Sequence, residues 1–222
     1  MSGSVVARLI RKDLVLARWP VTGALIGGAA SLAIMPLTSV TAYVGGVTFV
    51  CVLVILNIIL VMNGVVQERK DKTQIFILSL PVSTAQYVAA KVVANALAFT
   101  VPWAVLSAAA VVVIVRSSIP DGLLAFWAVL LGYLLAYYFV LLGVALLSDR
   151  SGWHASAITV GNISINLLIP ALLNLPSIAR QTSSPIAVWT ADIVALTLGE
   201  VLVGAVVLAW AIRYRSRRAD HV

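Results

Sequence analysis

The chain has 222 residues, of which 62% are hydrophobic and 10% are charged, and its formal net charge is +7. Soluble domains carry about 25% charged residues, so this composition excludes an ordinary soluble protein and indicates a chain that lies in a lipid bilayer. The positive charge does not indicate nucleic-acid binding, because no long basic stretch is interleaved with aromatic residues.

The N-terminal segment 1–18 has one charged and one apolar helical face. Its basic residues share one arc of a helical wheel: Arg8, Arg11, Lys12 and Arg18. The opposite arc is apolar, although Asp13 falls within it and Val15 falls within the charged arc. The pattern predicts an amphipathic helix at the membrane interface. A basic tail that only sets the membrane topology is the alternative.

Six stretches are long and apolar enough to cross a membrane, which takes about 20 residues per helix. They lie at about 20–37, 43–66, 86–115, 122–147, 155–175 and 186–212. The first lacks a convincing small-residue cleavage site, so we expect a retained helix and not a signal peptide. The connections are short. We therefore expect a single all-α transmembrane domain over 1–222, with six spans after the interfacial helix and a basic tail at 213–222.

Basic residues are distributed unevenly between the two sides that alternating spans define. Thirteen of the fifteen Lys and Arg residues fall on the side of the N-terminus, and only Arg116 and Arg180 fall on the other. Because basic loops stay in the cytoplasm, this predicts a multi-pass protein of the inner (plasma) membrane with both termini cytoplasmic. The polar segment 67–72 (QERKDK) then faces the cytoplasm as well.

Small and aromatic residues suggest where helices meet and where they end. Gly23-x-x-x-Gly27, followed by Gly28, permits close approach of another helix, within this chain or in a second copy. Cys51, the single cysteine, is expected to be a small buried apolar side chain. The tryptophans near predicted helix ends are typical of an interfacial belt: Trp127, Trp153, Trp189 and Trp210.

Polar side chains within the spans are candidates for a transport pathway. Asn162 and Asn166 share one face of the fifth span, where they would line a pathway or form hydrogen bonds between helices. Glu200 is the carboxylate near the middle of the sixth span, and an intramembrane ionisable group is a functional hypothesis by default. It would carry protons or cations, or be protonated and hydrogen-bonded to a neighbouring helix.

The sequence lacks the motifs of the common catalytic chemistries. It contains no G-x-x-x-x-G-K-[ST] phosphate loop and no G-x-S-x-G elbow. Its two histidines, His154 and His221, do not have the spacing of a metal pair. We therefore expect neither an enzyme nor a cofactor or metal site in this chain, which leaves transport or scaffolding.

Four stretches together resemble the type-2 ABC transporter permeases, and in particular the short six-span members of that family. They are Arg11-Lys12-Asp13-Leu14, Glu68-Arg69-Lys70-Asp71-Lys72, Leu78-Ser79-Leu80-Pro81-Val82-Ser83, and Tyr87-Val88 with Lys91. The resemblance implies an assembly of two permeases and two ATPases, in which the partner ATPases bind ATP and Mg²⁺. The second permease would be another copy of this chain or a similar partner.

The resemblance also implies that loop 67–85 forms a cytoplasmic coupling helix that enters a cleft of the ATPase. Apolar side chains would fill the cleft, charged ones would orient the helix, and Pro81 would end it. The residues assigned to this role are Glu68, Arg69, Asp71, Thr73, Phe76, Leu78, Leu80 and Pro81. An ordinary interfacial loop is the alternative.

The function that these observations favour is the permease subunit of an ATP-driven exporter that works by alternating access. Short outer connections leave no receptor domain, which fits export better than receptor-fed uptake. A secondary transporter driven by protons through Glu200 is the alternative, and an internal inverted repeat, which would support it, is not found. The expected partners are an ABC ATPase, a second permease and the lipid bilayer, with no nucleic acid.

Overall fold

The computed structural model of the chain describes residues 2–67, 84–148 and 150–219. These residues form α-helices without a strand: α1 (Ser2–Ile34), α2 (Ser39–Val61), α3 (Thr84–Arg116), α4 (Leu123–Leu147), α5 (Ser151–Asn174), α6 (Pro176–Ala179) and α7 (Ala191–Ala219). A π-helical turn, Met62–Gln67, continues α2. All of the helices except α6 are long and apolar enough to cross a membrane. The predicted all-α fold with six spans is confirmed.

The first helix differs in one respect from the expected arrangement. Segment 1–18 was expected as a helix separate from the first span, but α1 runs without a break through Pro20. At 1.5 Å per residue its 33 residues extend about 50 Å, well beyond a hydrocarbon core of about 30 Å. Since proline has no N–H to donate, α1 lacks one backbone hydrogen bond in its middle.

Helix α4 is the centre of the bundle. It is the most buried of the spans, packs most extensively on α7 and also contacts α2, α3 and α5. Helix α1 packs on α2 and α3. Within this core the rings of Phe99 and Tyr138 stack at 4.1 Å, and Trp127 meets Phe49 edge-on at 5.7 Å. The assignment of Trp127 to an interfacial belt was wrong, because this ring is buried in the core.

Two glycines of the first span allow close packing within the chain. A Cβ at Gly28 would lie 2.7 Å from the Leu106 side chain of α3, and one at Gly27 would lie 3.3 Å from Val52 of α2. At Gly23 it would meet nothing within 4 Å. Contacts inside the chain therefore explain two of the three glycines.

Because the six spans alternate in direction, four of the described chain ends lie together at one end of the bundle, named the loop end. They are the start of α1, the end of the π-helical turn, the start of α3 and the end of α7. The opposite end carries the connections 35–38, 117–122 and 180–190. There the Gly122 N–H donates to Ser184 O at 3.0 Å. Gln181 accepts from the Val188 N–H at 2.8 Å and donates to Ser177 O at 2.6 Å. The first bond joins two of these connections, and the Gln181 bonds hold the connection 180–190 to itself and to α6.

Candidate functional site

The predicted coupling loop lies largely outside the described residues. This applies to its eight assigned residues: Glu68, Arg69, Asp71, Thr73, Phe76, Leu78, Leu80 and Pro81. Its two borders, the π-helical turn and the start of α3, are described. The residues of these borders show how the loop is attached to the bundle.

Both borders of the loop are anchored by buried side chains. Val65 and Val66 are buried in the π-helical turn, which contacts α3 and α4. Tyr87 and Val88 are buried in the first turns of α3. The described residues on both sides of the loop are therefore packed against the bundle.

A buried ion pair joins α1 to α3 at the loop end. Asp13 Oδ2 lies 2.8 Å from Lys91 Nζ, and the two residues are 9% and 4% exposed. Lys12 Nζ, on a more exposed side chain, lies 3.3 Å from Asp13 Oδ1. A carboxylate and an ammonium group are rarely this buried unless they are paired, because each loses its hydration. This explains why an aspartate occupies the apolar arc of α1.

Asn95 extends this contact to α2 and α4. Its Nδ2 donates to Lys91 O at 2.9 Å, one turn back in α3. Its carbonyl oxygen accepts the Tyr138 O–H of α4 at 2.6 Å. Its Oδ1 lies against Gly64 of the π-helical turn, where a Cβ would overlap it. Asp13, Lys91, Asn95 and Gly64, named the loop-end cluster below, thus connect four helices.

Sequence reasoning did not identify the loop-end cluster, although two signals of it were visible. Asp13 breaks the apolar face of an amphipathic helix, and Lys91 falls inside the predicted third span. Two opposite charges in unfavourable places can satisfy each other. The sequence does not show, however, which helices pack together, and so it could not join the two residues.

A groove runs along the other side of the bundle between α2 and α5. It encloses about 480 Å³, and side chains of α4 form its floor. The lining is mainly apolar and includes Tyr43, Val54 and Phe126. Asn162 and Asn166 line the groove from α5. Asn166 Nδ2 donates to Asn162 O at 2.8 Å, within its own helix.

Cys51 also lines this groove. Its side chain is exposed, so the expectation of a small buried side chain was wrong. The error has a simple reason: α2 is apolar on all sides, and the sequence does not show which side of it faces a neighbour.

Glu200 does not lie with the two asparagines. It is part of the interface between α7 and α4, where a methyl group on Gly132 would sit 3.1 Å from Glu200 Oε2. In the described part of the chain, Oε2 has no hydrogen-bond partner. The structure therefore brings Asn162 and Asn166 together at one surface and places Glu200 at another.

The described residues contain no group of three or more His, Cys, Asp or Glu side chains that could hold a metal ion. His154 is buried at the loop end of α5, and its Nε2 lies 3.1 Å from Ser148 O. That contact is a local one at the connection between α4 and α5. His221 lies outside the described residues.

Comparisons with known proteins give one family. A family model described as ABC-2 family transporter protein matches residues 8–212, a range that includes all or nearly all of each of the six spans. A search of curated proteins finds no match.

Proposed function

The chain belongs to the ABC-2 family of ABC-transporter membrane subunits, and we propose that it exports its substrate by alternating access, driven through loop 67–85 by a partner ATPase. Membership in this family implies association with an ABC ATPase. The permease chain supplies the membrane path, and hydrolysis takes place in the partner.

The anchoring of the two loop borders is the observation that carries the coupling role. Because Val65, Val66, Tyr87 and Val88 are buried on either side of the loop, a push on the loop moves α2 and α3 together. Residues of α2 between positions 42 and 55 line the groove. Closure of the ATPase pair would thus change the packing of the helix that lines the proposed path.

Two features of the bundle support export and a paired arrangement. The connections at the end opposite the loop are short, and two of them, 117–122 and 180–190, are hydrogen-bonded to each other through the Gly122 N–H and Ser184 O. They offer no docking module for a substrate-delivering receptor. The apolar groove between α2 and α5 is open on one side, and a second permease placed there encloses a path lined by Asn162 and Asn166. In this proposal the loop end faces the cytoplasm, in agreement with the charge distribution.

The test is to co-express the chain with its ABC ATPase and to reverse or remove the loop side chains. Glu68→Lys, Asp71→Lys and Phe76→Ala are expected to lower the amount of ATPase that co-purifies, or to lower the vanadate-sensitive ATPase activity of the assembly in nanodiscs. Asp192→Lys is the matched control, because it reverses an exposed carboxylate at the opposite end of the bundle. It should behave as the wild type does.

Two results would contradict the proposal. One is unchanged binding and activity in all three loop variants. The other is transport by the purified chain without an ATPase, driven by a proton gradient and abolished by Glu200→Gln, since that result would favour a secondary transporter.

A further inference from the structure

The ion pair between Asp13 and Lys91 lies where the proposed coupling loop joins the bundle. Lys91 is seven residues into α3, about 10 Å from the start of that helix. The pair connects this part of α3 to the N-terminal half of α1. The other border of the loop reaches the same place, because Gly64 packs against Asn95, which is bonded to the Lys91 carbonyl.

Helix α1 has a point at which it can bend, two turns beyond Asp13. Pro20 breaks its backbone hydrogen-bond ladder there. A cavity of about 50 Å³ lies at this point and is lined by Asp13, Leu16, Ala17 and Pro20 on the side of α1. The rest of its wall includes Gly64 and Asn95. Since a water molecule needs only about 10–15 Å³, the cavity gives α1 room to move at Pro20.

The type of contact decides which parts move together. An ion pair shielded from water holds one geometry, because any shift of a few ångströms leaves two buried charges unpaired. Apolar contacts between helices are non-directional, so they fix the relative position of two helices less strictly than an ion pair does. The ion pair therefore fixes the N-terminal half of α1 to the start of α3, and the missing hydrogen bond at Pro20 beside the cavity makes that point of α1 the easier one to bend.

We infer that Asp13 and Lys91 are positioning residues for energy coupling: they make residues 2–19 of α1 move with the start of α3 as one unit that bends at Pro20. Loop movement then carries the N-terminal half of α1 along, and the rest of α1 transmits the change to α2 and α3. This inference rests on the proposed function, since the ATPase provides the movement.

The chain contains a natural probe for the test. Cys51 is its single cysteine, is exposed, and lines the groove between α2 and α5. The assembly of this chain with its ATPase is reconstituted in nanodiscs and treated with a fluorescent maleimide, without nucleotide and after trapping with ATP and vanadate. Labelling is read on the band of this chain. Wild type should show a labelling rate that differs between the two states.

The decisive variant is Asp13→Leu with Lys91→Met, which replaces both charges by apolar side chains and so avoids an unpaired buried charge. It should keep the ATPase bound and keep its thermal stability, but lose the nucleotide-dependent difference in Cys51 labelling. The charge swap, Asp13→Lys with Lys91→Asp, should restore part of that difference. Arg18→Met, which removes an exposed cation from the same helix, is the control and should behave as the wild type does.

Failure of the inference and failure of the proposed function give different results. If the wild-type assembly shows a nucleotide-dependent labelling rate and the double apolar variant shows the same one, the pair has only a structural role and the inference is wrong. If the wild-type chain retains no ATPase, or the labelling rate of its Cys51 is the same with and without nucleotide, the proposed function is wrong and the inference is wrong with it.

Discussion

The two ends of α2 are packed in opposite ways. At the loop end its π-helical turn places Gly64 against Asn95, within a series of ion pairs and hydrogen bonds that joins four helices. Farther along, α2 borders a groove whose lining is mainly apolar and where Cys51 is exposed. Directional contacts fix one arrangement, and apolar surfaces accept several. Contacts that fix the geometry of side chains thus lie where the ATPase is proposed to push, and mainly apolar contacts lie where substrate is proposed to pass.

The largest expected loss of stability follows from removing one partner of the buried ion pair between Asp13 and Lys91. Lys91→Met leaves the Asp13 carboxylate buried without Lys91, its closest partner, and should lower the free energy of unfolding by about 3–5 kcal/mol. Denaturation in mixed detergent micelles, followed by circular dichroism, measures this loss. Asp13→Leu added to Lys91→Met should recover most of it. A Lys91→Met variant as stable as Arg18→Met would mean that the pair does not hold the two helices together.

The next prediction compares the effect on stability of adding a methyl group at two glycines. Gly64 lies in the π-helical turn, and Gly46 lies in the part of α2 that lines the groove. Gly64→Ala forces a methyl group onto Asn95 Oδ1 and should cost about 1–3 kcal/mol. Gly46→Ala in the groove brings its methyl group only to 3.3 Å from the Trp127 ring, so its cost should be clearly smaller. The same denaturation assay applies to both. Equal losses would remove the distinction between a tightly packed loop end and a loose groove.

Replacing Asn57 by an apolar residue should raise the free energy of unfolding and not lower it. It is completely buried in α2, and neither of its amide atoms has a hydrogen-bond partner in the described structure. An unsatisfied buried donor or acceptor costs about 1–3 kcal/mol, so Asn57→Leu should stabilise the bundle by a similar amount. Asn63→Leu, at an exposed position, is the control and should change stability little. Destabilisation by Asn57→Leu would show that this amide has a partner in the membrane.

The features that could be predicted from the sequence are those that depend on one helix at a time. Apolar length predicted each of the six spans, and their limits agree with the structure to within a few residues except at the start of α1. The resemblance in the loop and its flanks predicted the family that the match over residues 8–212 then showed. Both signals are local, so they can be read without knowing the packing.

The features that the sequence did not predict depend on which helices pack against each other. Trp127 and Cys51 were assigned the wrong environments because apolar helices such as α2 and α4 show no face preference in sequence. Asp13 and Lys91 were seen as isolated irregularities, since their contact requires knowing that α1 packs on α3. Asn162 and Asn166 were placed correctly with respect to each other, because helical spacing alone puts them on one face.

The smallest effect on stability, and the sharpest test of the groove, concerns Asn166. Its side chain is exposed and bonds within its own helix, so Asn166→Leu should leave the free energy of unfolding unchanged within about 0.5 kcal/mol. The same change removes a polar group from the groove, and should slow maleimide labelling of Cys51 because less water enters. Asn174→Leu is the matched control: Asn174 makes the same kind of bond, to Pro170 O at 2.8 Å, but does not line the groove. If both variants slow the labelling equally, hydration of the groove does not depend on Asn166, and the pathway assignment of that residue loses its support.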